Sequence, residues 1–185
     1  EFLELYPDIR IHLQLTDEEL DLGMREADVA IRLRQPVQPD LIQRKLFTVH
    51  FHAYASTEYL AKKGHPRSPE ELDGHRILML GGNVPGYFSN LNWLSEIGRA
   101  SGQPRAASMT VNNVVGLKVA VENGVGIATL PDYLVEGNEK LVRLFSERDA
   151  PALDAYFVYP EELRSVARIQ VFRDFLIANA QRWKY

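Results

Sequence analysis

Apolar positions along this chain recur with two spacings, and the switches between them mark out the elements. Ile9-Arg10-Ile11-His12-Leu13-Gln14-Leu15 alternates apolar and polar residues, the period of a half-buried strand. Just before it, Phe2 to Leu5 reads as the end of a helix stopped by Pro7. Just after it, Thr16 with Glu19 three residues on has the form of a capping box and predicts a short helix to about Glu26. Val29 to Leu33 is the next buried strand, set off by the loop Gln35-Pro36-Val37-Gln38-Pro39. The β-rich run Leu41 to Ala55 is longer than one ordinary strand, so it is expected to pass from one sheet into another.

Helical spacing returns at Ser56, which opens a helix over Glu58 to Lys63, and Ser68-Pro69-Glu70-Glu71 repeats the same start signal. Ile77 to Leu80 is strand-like, the loop Gly81 to Gly86 is rich in turn residues, and Asn92-Trp93-Leu94 and Arg105 to Val111 read as further strands. Asn112 or Asn113 can cap a helix whose apolar run, Val114 to Val121, stops at Asn123-Gly124. A short buried strand follows from Gly126 to Leu130 and ends at Pro131. Leu141 to Phe145 and Tyr156 to Tyr159 are the last strand candidates, and Val166 to Arg182 predicts the final helix. Strands alternating with helices argue for an α/β fold of parallel sheets covered on both faces.

Composition narrows this picture. A chain of 185 residues, 45% of them hydrophobic, can bury one large core or two small ones. The formal charge of -4 offers no polyanion-binding surface, so any action on DNA is expected to need another segment. The absence of cysteine excludes a disulfide framework and a thiolate metal site. No apolar stretch reaches the roughly 20 residues of a membrane span, and no charged-then-apolar leader opens the chain, so a cytoplasmic location is expected. Of the five histidines only His50 and His52 have a spacing that shares a strand face, and no third metal ligand lies near them in sequence. Serine, histidine and aspartate fall in no nucleophile-elbow pattern. Neither an enzyme, nor a metal, nor a cofactor is expected.

Val111-Asn112-Asn113-Val114 through Glu122-Asn123-Gly124-Val125-Gly126-Ile127-Ala128-Thr129-Leu130-Pro131 carries the strongest family signal. With Tyr6-Pro7-Asp8-Ile9, Asp28-Val29-Ala30-Ile31-Arg32, Ala55-Ser56-Thr57-Glu58-Tyr59-Leu60 and the closing Val171-Phe172-Arg173-Asp174-Phe175-Leu176, the chain resembles the effector-binding domain of LysR-type transcriptional regulators, in order and over nearly its whole length. The resemblance implies two Rossmann-like subdomains joined by two crossover strands, the type II periplasmic-binding-protein-like architecture. Subdomain I would be residues 1–48 plus 153–185 and subdomain II residues 49–152. A small-molecule effector is expected in the cleft between them, at the carboxyl ends of the strands. The family's winged helix-turn-helix, its linker helix and one strand would precede the first residue, so DNA is expected to be reached only through that missing N-terminal part. The alternative is a free-standing solute-binding protein of a transport system, which shares the bilobed architecture.

The resemblance also gives site candidates, each with a plain structural alternative. Thr16, ending a strand and opening a helix, would present its hydroxyl to the cleft or serve only as a cap. Arg32 would grip a carboxylate or extend to solvent, with Arg34 its rival and Leu33 in the wall, which suggests a small organic anion. Of Asn112 and Asn113, one is the cap and the other is left for the ligand, beside Val114. Thr129 closes its strand near the same mouth, Gly81 and Gly82 would allow close backbone approach, and Tyr133 would suit an apolar part of the ligand. Val115 and Val119 form a second apolar stripe on the Val114 helix, expected to meet Phe2 and Ile11 of another subunit in a homodimer, with a tetramer in the full-length protein.

Overall fold

The computed structural model describes residues 1–16, 20–82, 86–145, 150–180 and 182. In chain order the elements are α1 (Phe2–Leu5), β1 (Ala30–Arg32), β2 (Leu41–Ser56), α2 (Thr57–Lys63), β3 (Ile77–Leu80), β4 (Met109–Val111), α3 (Val114–Glu122), β5 (Ile127–Pro131), α4 (Asp132–Val135), β6 (Leu141–Leu144), β7 (Ala152–Pro160) and α5 (Ala167–Ala180). Short 3₁₀ helices lie at Pro69–Gly74, Gly86–Ser95 and Glu161–Leu163. The chain divides into two compact units, unit 1 of Glu1–Thr48 with Leu153–Tyr185 and unit 2 of Val49–Ala152.

In unit 1, β1 pairs antiparallel with β7, Ile31 facing Phe157 in the ladder. The core there is Phe157, Tyr159 and Ile169, with Val29, Ile42, Leu46 and Phe172 packed against it. Phe2 is buried and joins this core, its ring within about 5 Å of the rings of Tyr6, Phe172 and Phe175.

Among the described residues, unit 2 holds five paired strands in the order β6-β2-β5-β3-β4. The pairs of β3 with β4 and β5 are parallel, whereas β2 runs antiparallel to both β5 and β6. The expectation of purely parallel sheets is corrected accordingly. Alternation of strands with helices leaves room for antiparallel strands beside a parallel run, as in many mixed α/β sheets. One face packs Tyr54, Leu78, Ala128 and Leu130 against Leu117, Ala120 and Val121 of α3. The other packs Ala53, Ala55 and Ile127 against Tyr59 of α2, Leu72 and Leu94.

Several expected elements differ. Ile9 to Leu15 forms no ladder among the described residues, and Ile11, Leu13 and Leu15 are 45%, 75% and 85% exposed. The alternating pattern marks a two-faced segment, but a strand also needs a hydrogen-bonded neighbour. Of the helix expected from Thr16 to Glu26, the described part from Leu20 onward is a turn instead, with Asp21 Oδ1 accepting from the amides of Gly23 and Met24 and with Arg25 at a positive φ of 61°. Its expected capping partner, Glu19, lies outside the described residues. Asn92-Trp93-Leu94 belongs to the 3₁₀ helix Gly86–Ser95 rather than to a strand. Of Arg105 to Val111 only Met109–Val111 is strand, because Arg105 is drawn inward. Its guanidinium bonds Asp73 Oδ1 and the carbonyls of Pro69, Leu94 and Ile97, tying the two 3₁₀ helices of unit 2 together.

Candidate functional site

The parallel run β5-β3-β4 sends the carboxyl ends of three strands to one edge of unit 2, and α3 starts there. Such an edge is where α/β sheets leave room for a ligand. Asn113 is the cap of α3: its side-chain oxygen accepts from the amides of Val115 at 2.9 Å and Gly116 at 3.1 Å. The carbonyl oxygen of that amide is therefore engaged, and of the asparagine pair it is Asn112 whose side chain has no such duty at the helix end. The backbone of Gly81 and Gly82 runs close to this lip. A Cβ added at Gly81 would sit 2.9 Å from Thr110 Cβ, and one at Gly82, whose φ is +93°, would sit 3.1 Å from Asn112 Cβ. Gly81 also donates its amide to the carbonyl of Val111 at 3.0 Å.

Beneath the lip is a small cavity of about 10 Å³, lined among others by Phe51, Leu80, Leu91, Asn92, Val114 and Thr129. That is room for about one water. The Asn92 amide is fully used by β3, its oxygen accepting from Leu80 N–H at 3.0 Å and its nitrogen donating to Leu80 C=O at 2.9 Å. Thr129 differs. Its residue is 8% exposed, and its Oγ1 is buried with no hydrogen-bond partner. A buried hydroxyl without a partner costs free energy, and its natural remedy is a group brought in from outside the protein.

The structure thus brings Gly81, Gly82, Asn112, Asn113, Val114 and Thr129 together at one mouth. Tyr133, also in unit 2, stands on α4, 40% exposed, its phenol pushed up by burial. Phe51, Leu80, Leu91 and Asn92 were not singled out from the sequence. Asn92, Phe51 and Leu80 lie in expected strands, and nothing in the sequence marks Leu91. The remaining candidates are in unit 1. Thr16 is exposed and borders the undescribed residues 17–19, Leu33 is half-buried, and Arg34 is exposed. Arg32 is 7% exposed, and its guanidinium donates to the Leu20 carbonyl at 2.8 Å and to Gln38 Oε1 at 3.1 Å. The side chain expected to grip an anion is therefore a brace inside unit 1. At the proposed interface, Ile11, Val115 and Val119 are exposed, but Phe2 is taken up by the core of unit 1. The reason is local: α1 is a single turn, and only its Phe2 face reaches Phe172 and Phe175. His52 does not face a metal with His50, since both its ring nitrogens have protein partners, Asp132 and Arg143.

A mixed α/β sheet with a capped helix mouth and a buried, unpartnered hydroxyl beside a small cavity offers a place for a small molecule. The match of residues 1–181 to the LysR substrate binding domain family makes this specific: the chain belongs to that family, as an effector-binding domain of LysR-type regulators. It is 35% identical over 182 residues to the HTH-type transcriptional regulator CrgA of Neisseria meningitidis serogroup C, covering 95% of this chain and 59% of CrgA. The solved CrgA regulatory domain from N. meningitidis matches with a TM-score of 0.84 at 31% identity, over 97% of this chain and 88% of that one. Full-length AphB, a Vibrio cholerae virulence activator, matches with a TM-score of 0.73 at 27% identity, over 96% and 60%. The chain thus spans about 59% of the length of the CrgA sequence it matches. Among the described residues no helix is long and apolar enough to cross a membrane.

Proposed function

We infer that this domain senses a small-molecule effector at the α3 mouth of unit 2 and, within a longer cytoplasmic protein, controls transcription through a DNA-binding segment outside this chain. The observation that carries the site is Thr129 Oγ1, buried and without a partner beside Val114 at the helix start. Asn112, Asn113 and the Gly81-Gly82 backbone supply the polar lip, and Tyr133 is a further unit 2 contact. The remaining candidates, Thr16, Leu33 and Arg34, are in unit 1, where Arg32 holds Leu20 and Gln38. The relatives are transcription regulators, which favours this reading over a transport solute-binding protein.

The domain is further assigned to a homodimer, and the full-length protein to a tetramer. Val115 and Val119, 53% and 48% exposed on one stripe of α3, would meet Ile11 of a second copy. The effector reading is tested by screening small carboxylates and aromatics against ¹⁵N-labelled chain. A true effector moves the amide resonances of Thr129 and Val114, and its binding weakens in Thr129→Val. Binders that leave both amides unmoved would overturn the assignment.

A further inference from the structure

The chemistry of the cavity beneath the α3 lip restricts what can enter it. Among the described residues its apolar wall is Phe51, Leu78, Leu80, Leu91, Val114 and Leu117, and its polar members are Asn92 and Thr129. Phe51 comes from β2. All the others come from residues 77–95, 106–117 and 123–131, stretches that hold no Asp, Glu, Lys, Arg or His in a chain that is 25% charged. The lining therefore has no side chain that could pair with a charge on a ligand.

The polar groups at hand are equally restrictive. The Asn92 amide is closed on the N–H and C=O of Leu80, so turning it toward a ligand would strip the end of β3 of both bonds. At the start of α3, where an anion is ordinarily welcome, the amides of Val115 and Gly116 already donate to Asn113 Oδ1. Thr129 Oγ1, buried and without a partner, is the hydrogen-bonding atom left inside. Room for about one water admits about one heavy atom beside it. A carboxylate brings two oxygens and a charge. One hydroxyl serves one of those oxygens, the other is pressed against leucine side chains, and an unpaired buried charge costs more than one hydrogen bond gains. A carbonyl or hydroxyl oxygen on an apolar carbon frame meets the same hydroxyl and leaves no charge buried.

Resting on the reading of the α3 mouth as the effector site, we propose that the effector enters this cavity with an uncharged oxygen, a carbonyl or hydroxyl carried on an apolar frame, and hydrogen-bonds it to Thr129 Oγ1, while any charge on the molecule stays outside. Amides, ketones and alcohols with a short apolar body fit this description, and simple carboxylates do not.

The test is a titration of the 185-residue chain, ¹³C-labelled at its Leu, Val and Thr methyl groups, with benzoate and butyrate and with their amides, benzamide and butyramide, at pH 7. Each pair shares a frame and nearly a shape and differs in charge. The amides are expected to shift the methyl resonances of Thr129, Val114 and Leu91 and to bind at least about tenfold more tightly than the matching carboxylates, the smallest margin that an unpaired buried charge implies. Thr129→Val should weaken the amides about two- to tenfold, and Thr129→Ser, which keeps the hydroxyl, should bind them like the wild type. Carboxylates that shift the same resonances with equal or higher affinity would overturn the neutral-oxygen assignment and leave the α3 site standing. Amide affinity that ignores Thr129→Val would overturn it as well. If none of the compounds shifts Thr129 or Val114, the α3 site reading fails and the proposal falls with it.

Discussion

Thr129→Val exchanges one buried hydroxyl for a methyl of similar shape, and its sign is opposite for stability and for binding. A polar group buried without a partner costs about 1–3 kcal/mol in proteins. The cavity beside Thr129 has room for about one water, which would recover part of that cost. Thr129→Val should therefore stabilise the ligand-free chain by about 0.5–1.5 kcal/mol, a rise in Tm of roughly 1–6 °C for a chain of this size. The effector, in contrast, loses a neutral hydrogen bond of about 0.5–1.5 kcal/mol, and its Kd rises by about two- to tenfold. Thr129→Ser keeps the hydroxyl and should bind like the wild type while losing stability to the missing methyl. Calorimetric melting and isothermal titration read the two quantities separately. A lower Tm for Thr129→Val, or unchanged effector affinity, refutes the idea that this hydroxyl is held ready for a ligand.

Arg105→Ala should lower unfolding free energy by about 3–5 kcal/mol in urea titrations, since it strips the donor from three backbone carbonyls and from Asp73; a loss under about 1 kcal/mol contradicts the network. Asn113→Ala should cost about 1 kcal/mol by the same method, the worth of a cap that satisfies the Val115 and Gly116 amides, and no cost at all would mean another group caps α3. Val119→Glu should convert a dimer into a folded monomer in sedimentation, and an unaltered dimer would place the interface elsewhere. Hydrogen bonds from Lys45 and Thr48 hold the Asp154 carboxyl below its ordinary range, and a bond from Lys118 does the same for Glu122. Carboxyls depressed in the folded state stabilise it above the unfolded value of about 4, and that contribution is lost as pH falls through the folded value. Urea midpoints should thus hold between about pH 7 and 5 and drop toward pH 3, most weakly in Asp154→Asn.

Where local chemistry decides an element, the sequence showed it. The Asn-Asn start and the Asn-Gly stop bound α3 to Val114–Glu122, and Pro131 ends β5, because caps and proline act within a turn of themselves. The unusual length of the β2 run was visible for the same reason, as a stretch with no breaker from Leu41 to Ser56. What was hidden depends on partners far along the chain. Arg105 looks like a strand residue until Asp73 and Pro69, more than thirty positions away, are seen to hold it. Arg32 reads as a ligand clamp until Leu20 and Gln38 take its donors, and Phe2 as a surface anchor until α5 covers it. At the mouth, Asn112, Asn113, Val114 and Thr129 were all named from their place at strand and helix ends, whereas Asn92 was missed because a 3₁₀ segment leaves almost no periodic signal.

The exposed stretch from Ile9 to Leu15 has a consequence for how this domain behaves in crowded solution. It offers exposed Ile11, Leu13 and Leu15 on a backbone that forms no ladder among the described residues, the combination that lets one chain nucleate pairing in the next. Arg10, His12 and Gln14 interrupt the run, and a net charge of -4 adds only weak repulsion between copies. Any surface that covers this stretch therefore acts as a solubility device as well as a binding partner, and isolated chains should become more prone to self-association as salt screens that charge.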